Sequence, residues 1–159
     1  MNRNDPFYTQ KYIFGNLFYL SNKLQTIMDQ KLKAFDITTK QWFLLASIEK
    51  LGGLPATIDE ISETMGCSHQ NVKKLALKLE QKGFVQIVKD QKDKRVSRIL
   101  VLEKVNLLRQ NLNESAGQLF NTLFRELDKD QLISLFEQIN RISAALEGIT
   151  PDLFADREE

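Results

Sequence analysis

Between His69 and Arg98 the chain gathers nine cationic side chains, Lys73, Lys74, Lys78, Lys82, Lys89, Lys92, Lys94, Arg95 and Arg98, against Glu80, Asp90 and Asp93. That leaves a local +6 in a protein whose formal net charge is +1. From Asn113 onward the balance reverses, with four basic and ten acidic residues. A near-neutral total thus conceals a cationic face, and cationic faces attract polyanions. The uncharged residues in the same stretch narrow the chemistry. Gln70 and Asn71 can form paired hydrogen bonds with adenine edges in a major groove, while lysine reaches guanine edges or phosphates. His69 could make binding sensitive to pH near 6, but a simple polar contact is the more common role of such a residue. Groups suited to enzymatic chemistry are missing. One His and one Cys leave no Cys/His metal cluster, no Cys-x-x-Cys pair and no Cys-His-Asn site. The seven glycines build no phosphate-cradling motif, and Asp59-Glu60 is better explained by helix capping than by acid/base catalysis. Neither an enzyme nor a cofactor is expected.

These side chains need a rigid support, and the surrounding pattern supplies one. In TIDEISETMGCSHQNVKKLALKLEQKG, Thr57 and Glu60 have the spacing of a capping box, in which each side chain satisfies the other's backbone donor. A short helix should follow with Ile58, Ile61 and Met65 inward, and Gly66 should end it. Ser68 can cap a second helix, with Val72, Leu75, Ala76 and Leu79 inward, that runs until Gly83. Two short helices joined by a tight turn make a helix-turn-helix. Removing the apolar stripe leaves His69, Gln70, Asn71, Lys73, Lys74 and Lys78 on the outer side or flanks. The helix start beside Ser68 adds N–H groups and a partial positive charge, both suited to a phosphate. Polar residues opposite an apolar stripe also line ordinary surface helices, so this pair alone leaves both readings open.

The next stretch separates them. FVQIV and RILVL are apolar, β-prone runs flanking KDQKDKRVS, which reads as a hairpin directly after the second helix. A helix-turn-helix followed by a charged hairpin is a winged helix. The hairpin core would pack on the helices while its tip, with Lys92, Asp93, Lys94 and Arg95, reaches the backbone or minor groove of a duplex. A solvated tip without a partner is the alternative. Cys67 sits in the turn before the second helix. A thiolate favoured by the helix start could sense oxidants there, but a small side chain packed in a tight turn is the preferred reading.

On either side of this region the pattern is helical. Asp5-Pro6 starts a long helix, with the Asp side chain as cap and Pro at the first position. Ile13, Leu17, Leu20, Leu24, Ile27, Lys31 and Phe35 form its stripe, and Gly15 weakens its first turns. Thr38 and Gln41 have capping-box spacing, Trp42, Leu45, Ile48 and Leu51 supply one apolar face, and Gly52-Gly53 stops that helix. Val105, Leu108, Leu112, Leu119, Leu123 and Leu127 give another long helix. Asp128 with Gln131 caps the last, which carries Leu132, Leu135, Phe136, Ile139, Ile142 and Leu146 ahead of Gly148 and Pro151. At 159 residues, 42% hydrophobic and 27% charged, the chain is expected to fold as one domain, or as a small domain with appended helices. Only DLFADREE at the C-terminus looks too polar to stay ordered. With no basic leader and no eighteen-residue apolar stretch, neither secretion nor membrane insertion is expected, and the single cysteine agrees with a reducing, cytoplasmic location.

On these residues the chain resembles the MarR family of transcription regulators over nearly its whole length. The most specific element is Asp93-Lys94-Arg95, which matches the family's Asp-x-Arg wing signature. The resemblance implies that Arg95 touches the minor groove or sugar-phosphate backbone and that Asp93 orients its guanidinium, a planar fork that loses less entropy on contact when held. Many members carry Arg where Lys89 enters the wing, and Thr where this chain has Glu103. Lys89 still offers a phosphate contact, and Glu103 can serve as an acidic first-turn residue.

The implied fold class is mainly α (α+β), a winged helix-turn-helix with long N- and C-terminal dimerisation helices. It divides into a dimerisation helix at 1–35, a DNA-binding region at 36–102, dimerisation helices at 103–150 and a flexible tail at 151–159. Phe7, Tyr8, Tyr12, Phe14 and Phe18 belong either to the dimer interface or to an internal core. The implied partners are double-stranded DNA, a second copy of the chain and a small aromatic effector for which Trp42 is one candidate contact, with core packing its other role. A homodimeric repressor would read a pseudo-palindromic operator with half-sites roughly 10 base pairs apart. The alternative is a winged-helix adaptor that binds proteins and has lost DNA recognition.

Overall fold

The computed structural model describes residues 5–149, excluding the side chains of Glu114 and Ser115, so the tail expected at 151–159 lies outside the described residues. They run α1 (Pro6–Leu32), a 3-10 turn (Lys33–Phe35), α2 (Thr39–Lys50), β1 (Ala56–Thr57), α3 (Ile58–Met65), α4 (His69–Gln81), β2 (Val85–Lys89), β3 (Ser97–Val101), α5 (Lys104–Leu123) and α6 (Lys129–Glu147). The sheet order is β1-β3-β2, antiparallel throughout, with Ile99 opposite both Ala56 and Ile87. This is a mainly helical winged helix-turn-helix, as the sequence pattern implies. No described helix is long and apolar enough to cross a membrane.

Local chemistry fixes the helix ends. The Asp5 carboxylate accepts from the Phe7 N–H at 3.0 Å, and capping boxes close at Thr38/Gln41, Thr57/Glu60 and Asp128/Gln131. Gly66 and Gly83 take left-handed backbone where α3 and α4 must turn sharply, a conformation that costs glycine little. α1 runs through Gly15 without a break, but it ends at Leu32, earlier than a stripe reaching Phe35 requires. The 3-10 turn follows, and Asp36 closes it with a φ of 54°, so Phe35 leaves the helical face. β1 escapes the sequence pattern because two residues show no alternation; pairing with β3 alone makes them a strand.

The molecule divides into two compact units with the boundary between Arg109 and Gln110. α1 therefore shares a unit with the winged region, whereas the sequence reading separates it at residue 35. The first unit's core comprises Leu32, Ile37, Leu44, Leu45, Ile48, Ala56, Ile61, Val72, Ala76, Leu79, Phe84, Val85, Ile99, Val105 and Leu108. α2 packs against both α3 and α4, so its buried face is wider than one stripe and takes in Gln41, Leu44 and Ser47. Leu51, expected inward, is exposed because it caps the helix and lies past its last turn. Trp42, Ile58 and Met65 are half-buried. Buried polar groups are paired: Gln41 accepts from the Thr38 N–H, the Ser47 hydroxyl donates to the Phe43 carbonyl, and that of Ser62 donates to the Asp59 carbonyl. α1 is tied to α2 by Asp29, which accepts from the Thr39 N–H and hydroxyl, each at 2.7 Å. Those two bonds lower the Asp29 carboxyl pKa.

Within the second unit lie the rest of α5 and α6. α5 stops at Leu123, so Leu127 falls in the following turn, where its N–H donates to the Phe124 carbonyl. All the large apolar side chains of α6, Leu132 to Leu146, are exposed in the single chain. So are Phe7, Tyr8, Tyr12, Phe14 and Phe18 of α1, with Phe14 and Phe18 meeting edge-on at 5.1 Å. Within the first unit those five aromatics therefore belong to no internal core.

Candidate nucleic-acid interface

α4 presents its first turn outward because its apolar residues claim the opposite side. Val72, Ala76 and Leu79 are fully buried and Leu75 half-buried, while His69, Gln70, Lys73, Lys74 and Lys78 are exposed and Asn71 is half-buried. Ser68 caps the helix by accepting from the Asn71 N–H at 3.3 Å. That bond engages its hydroxyl in helix capping and leaves the neighbouring side chains to project. His69 Nδ1 lies 3.4 Å from an Asp59 carboxylate oxygen, which couples the first turns of α3 and α4. Cys67 is half-buried in the connecting turn, its N–H donating to the Ser62 carbonyl.

The hairpin is anchored to this helix from both sides. Glu80 of α4 accepts from the Ile87 N–H at 2.7 Å. Phe84, fully buried, contributes about 2 kcal/mol by leaving water, and the Lys104 ammonium sits 4.5 Å from its ring centre. Lys104 also donates to the Lys82 carbonyl at 2.8 Å, closing the end of α4 against the start of α5. Glu103 precedes α5 instead of lying in its first turn.

At the wing tip, acids and bases have separate tasks. The Asp93 carboxylate accepts from the Arg95 Nε at 3.2 Å, Nη2 at 3.1 Å and backbone N–H at 2.9 Å. These bonds hold the Asp93 carboxyl below its usual pKa, side-chain bonding to Arg95 being the main cause. Arg95 itself is 92% exposed, an oriented fork with its outer donors facing solvent. Lys92 and Lys94 are exposed beside it. Asp90, absent from the sequence-derived site, folds the tip: it accepts from the Arg98 guanidinium and from the N–H groups of Lys92 and Asp93. In that order of importance, after Arg98 come the Asp93 and Lys92 amides in pushing its carboxyl far below the ordinary range. Spacing offers one clue to the turn, since an Asp two or three residues before free amides is a common turn former. The Arg98 partnership, across the strand pair, has no such local signal.

A groove runs between the two elements, lined by Thr57, Ile58, Asp59, His69, Gln70, Lys73, Lys89, Arg95, Val96 and Ser97. Of the sequence-derived site, the structure therefore brings His69, Gln70, Lys73 and Arg95 to one concave surface. Lys89, named as the wing's entry residue, joins them. Lys74, Lys78, Lys92 and Lys94 are exposed on the same two elements outside that lining. Hydrogen-bonding side chains beside exposed cations suit a polyanion whose backbone needs charge and whose base edges need donors and acceptors. Among the described residues no group of three or more His, Cys, Asp or Glu is placed to hold a metal ion.

Comparison with known proteins agrees with this geometry. Residues 37–97 match the model of the MarR family. The transcriptional activatory protein BadR of Rhodopseudomonas palustris is 26% identical over 95 residues, 58% of this chain and 53% of that protein. The HTH-type transcriptional repressor MdtR of Bacillus subtilis is 35% identical over 77 residues, 48% of each. The chain spans about half the length of these curated relatives. The crystal structure of the S. aureus MepR–DNA complex aligns with a TM-score of 0.71 at 23% identity, covering 84% of this chain and 97% of that one. Both curated relatives are transcriptional regulators. Residues 37–97 thus match the MarR family model, and the chain shares its fold with the solved MepR–DNA complex.

Proposed function

We propose that this protein is a sequence-specific regulator of transcription that binds double-stranded DNA as a homodimer on a pseudo-palindromic operator. One observation carries the reading: Arg95 is held by Asp93 yet almost wholly exposed, in the same unit as the outward first turn of α4. In this reading Gln70, Asn71, His69 and Lys73 face base edges in the major groove, with Ser68 at the helix start. Lys74, Lys78, Lys92 and Lys94 neutralise phosphates, and Arg95 enters the flanking minor groove. Support for a second copy comes from the exposed apolar side chains of α1 and α6, which a monomer would leave in water. A cytoplasmic location and repression by occupying the duplex belong to the same proposal, the sign following MdtR, at higher identity than BadR. So does release by a small aromatic effector, for which Trp42, the only tryptophan, is a built-in fluorescence reporter.

Selection of bound duplexes from a random pool at physiological salt tests the proposal. An inverted repeat should emerge, and Arg95→Ala should weaken binding to it by about 1–3 kcal/mol without altering the fold. Weak, salt-insensitive association with no preferred sequence would refute it and favour a protein-binding adaptor.

A further inference from the structure

We infer that Arg98, one of the nine cations of the basic stretch, is not a DNA contact but a positioning residue that sets where the wing carries Arg95 relative to α4. The inference rests on the DNA-binding reading above and assigns the wing's aim to a residue outside the contact surface. Arg98 lies on the central strand, opposite Thr57 of β1 and Val88 of β2. Its guanidinium donates in two directions: Nε to the Asp90 carboxylate, and Nη1 to the Pro55 carbonyl at 2.9 Å. Nη1 also stands 3.9 Å from Glu60 Oε2, and Glu60 is already engaged by the Thr57 N–H at the start of α3.

The connections form one path. The segment before α3 holds Arg98, Arg98 holds Asp90, and Asp90 accepts from the Asp93 N–H at 3.0 Å. Asp93 in turn grips Arg95. The strand register ends at Lys89 and Ser97; beyond it the backbone bonds from the Asp90 N–H to the Val96 carbonyl and from the Val96 N–H to the Asp93 carbonyl close the tip on itself, leaving a short, solvent-exposed ribbon whose aim they do not fix. The Arg98 path refers its position to the start of the helix-turn-helix. Exposure separates the two arginines: Arg95 is 92% exposed, whereas Arg98 is 36% exposed with Asp90 at 15%. A planar fork fixes its donors in different directions, toward a strand-borne carboxylate and a carbonyl at once; a lysine ammonium directs its three donors from one nitrogen on a flexible stem.

A double-mutant cycle on the full-length protein, with a selected inverted-repeat duplex as probe, decides the matter. Arg98→Ala should weaken binding about tenfold in the otherwise unaltered protein and produce almost no further loss in an Arg95→Ala background. Arg98→Lys should fall between the two. Additive losses, with the salt slope falling by about one more unit in the double variant, would mean that Arg98 touches phosphate and would overturn the inference. Unchanged binding by Arg98→Ala would overturn it as well. Hydrogen exchange on the DNA-free protein gives an independent arm, in which Arg98→Ala and Asp90→Asn should each accelerate the Lys92 and Asp93 amides while those of α4 keep their protection. Should Arg98→Ala fail to fold, Arg98→Lys and Asp90→Asn carry both arms. Failure of the unaltered protein to bind any duplex refutes the DNA-binding reading, and exchange alone then judges the clamp: acceleration upholds it, unchanged rates reject it.

Discussion

At the scale of single residues, the charge crowded into the wing resolves into different tasks. Asp93 restrains the exposed Arg95, Asp90 takes the guanidinium of Arg98 and the tip amides, and Lys92 and Lys94 remain exposed. The depressed Asp90 pKa has a consequence for stability. An unfolded chain protonates this carboxyl in the ordinary aspartate range, whereas the folded chain resists until the pH is much lower. Its contribution is therefore complete above the ordinary range and is lost as pH falls through the depressed value. Asp90→Asn should flatten that part of the acid-denaturation curve, as measured by urea unfolding at successive pH values. An unchanged acid limb would show that the pair with Arg98 contributes nothing to folding.

At the scale of elements, caps and turns were the most readable features. The boxes at Thr38/Gln41, Thr57/Glu60 and Asp128/Gln131 all form where their spacing places them, because a capping box needs only four consecutive residues. Thr57→Ala should cost about 1 kcal/mol in chemical denaturation, with no change in the register of β1 on β3. Packing faces were less readable. Leu44 is buried because a helix that meets two neighbours buries a wider face, whereas Leu51 is exposed because it lies past the last turn. The hairpin core is the strongest test of packing: Phe84→Ala should destabilise by about 3–5 kcal/mol, read from the urea midpoint, because a fully buried ring between α4 and the sheet leaves a cavity.

At the scale of the whole molecule, the proposed homodimer accounts for apolar side chains that the single chain leaves in water, including Phe14, Leu17, Phe136 and Ile139. Replacing Ile139 by Asp should convert the proposed dimer to monomer in sedimentation velocity and reduce operator affinity by far more than the loss of one contact. Two winged regions on one duplex gain from high effective concentration, and that gain disappears with the second copy. A variant that remained dimeric would remove α6 from the interface.

Read alone, the sequence determined whatever is encoded by near neighbours along the chain: the capped helix starts, the glycine turns and the inward stripe of α4. Each depends on donors, acceptors or apolar groups only a few residues apart, so their spacing suffices to specify them. Tertiary structure alone decided what depends on distant segments meeting. It made a strand of Ala56-Thr57, brought the Pro55 carbonyl to Arg98 across 43 positions, and separated an arginine engaged within the protein from one left open to solvent. Those outcomes follow from the packing of α3 beside the sheet, a long-range arrangement that no local pattern records.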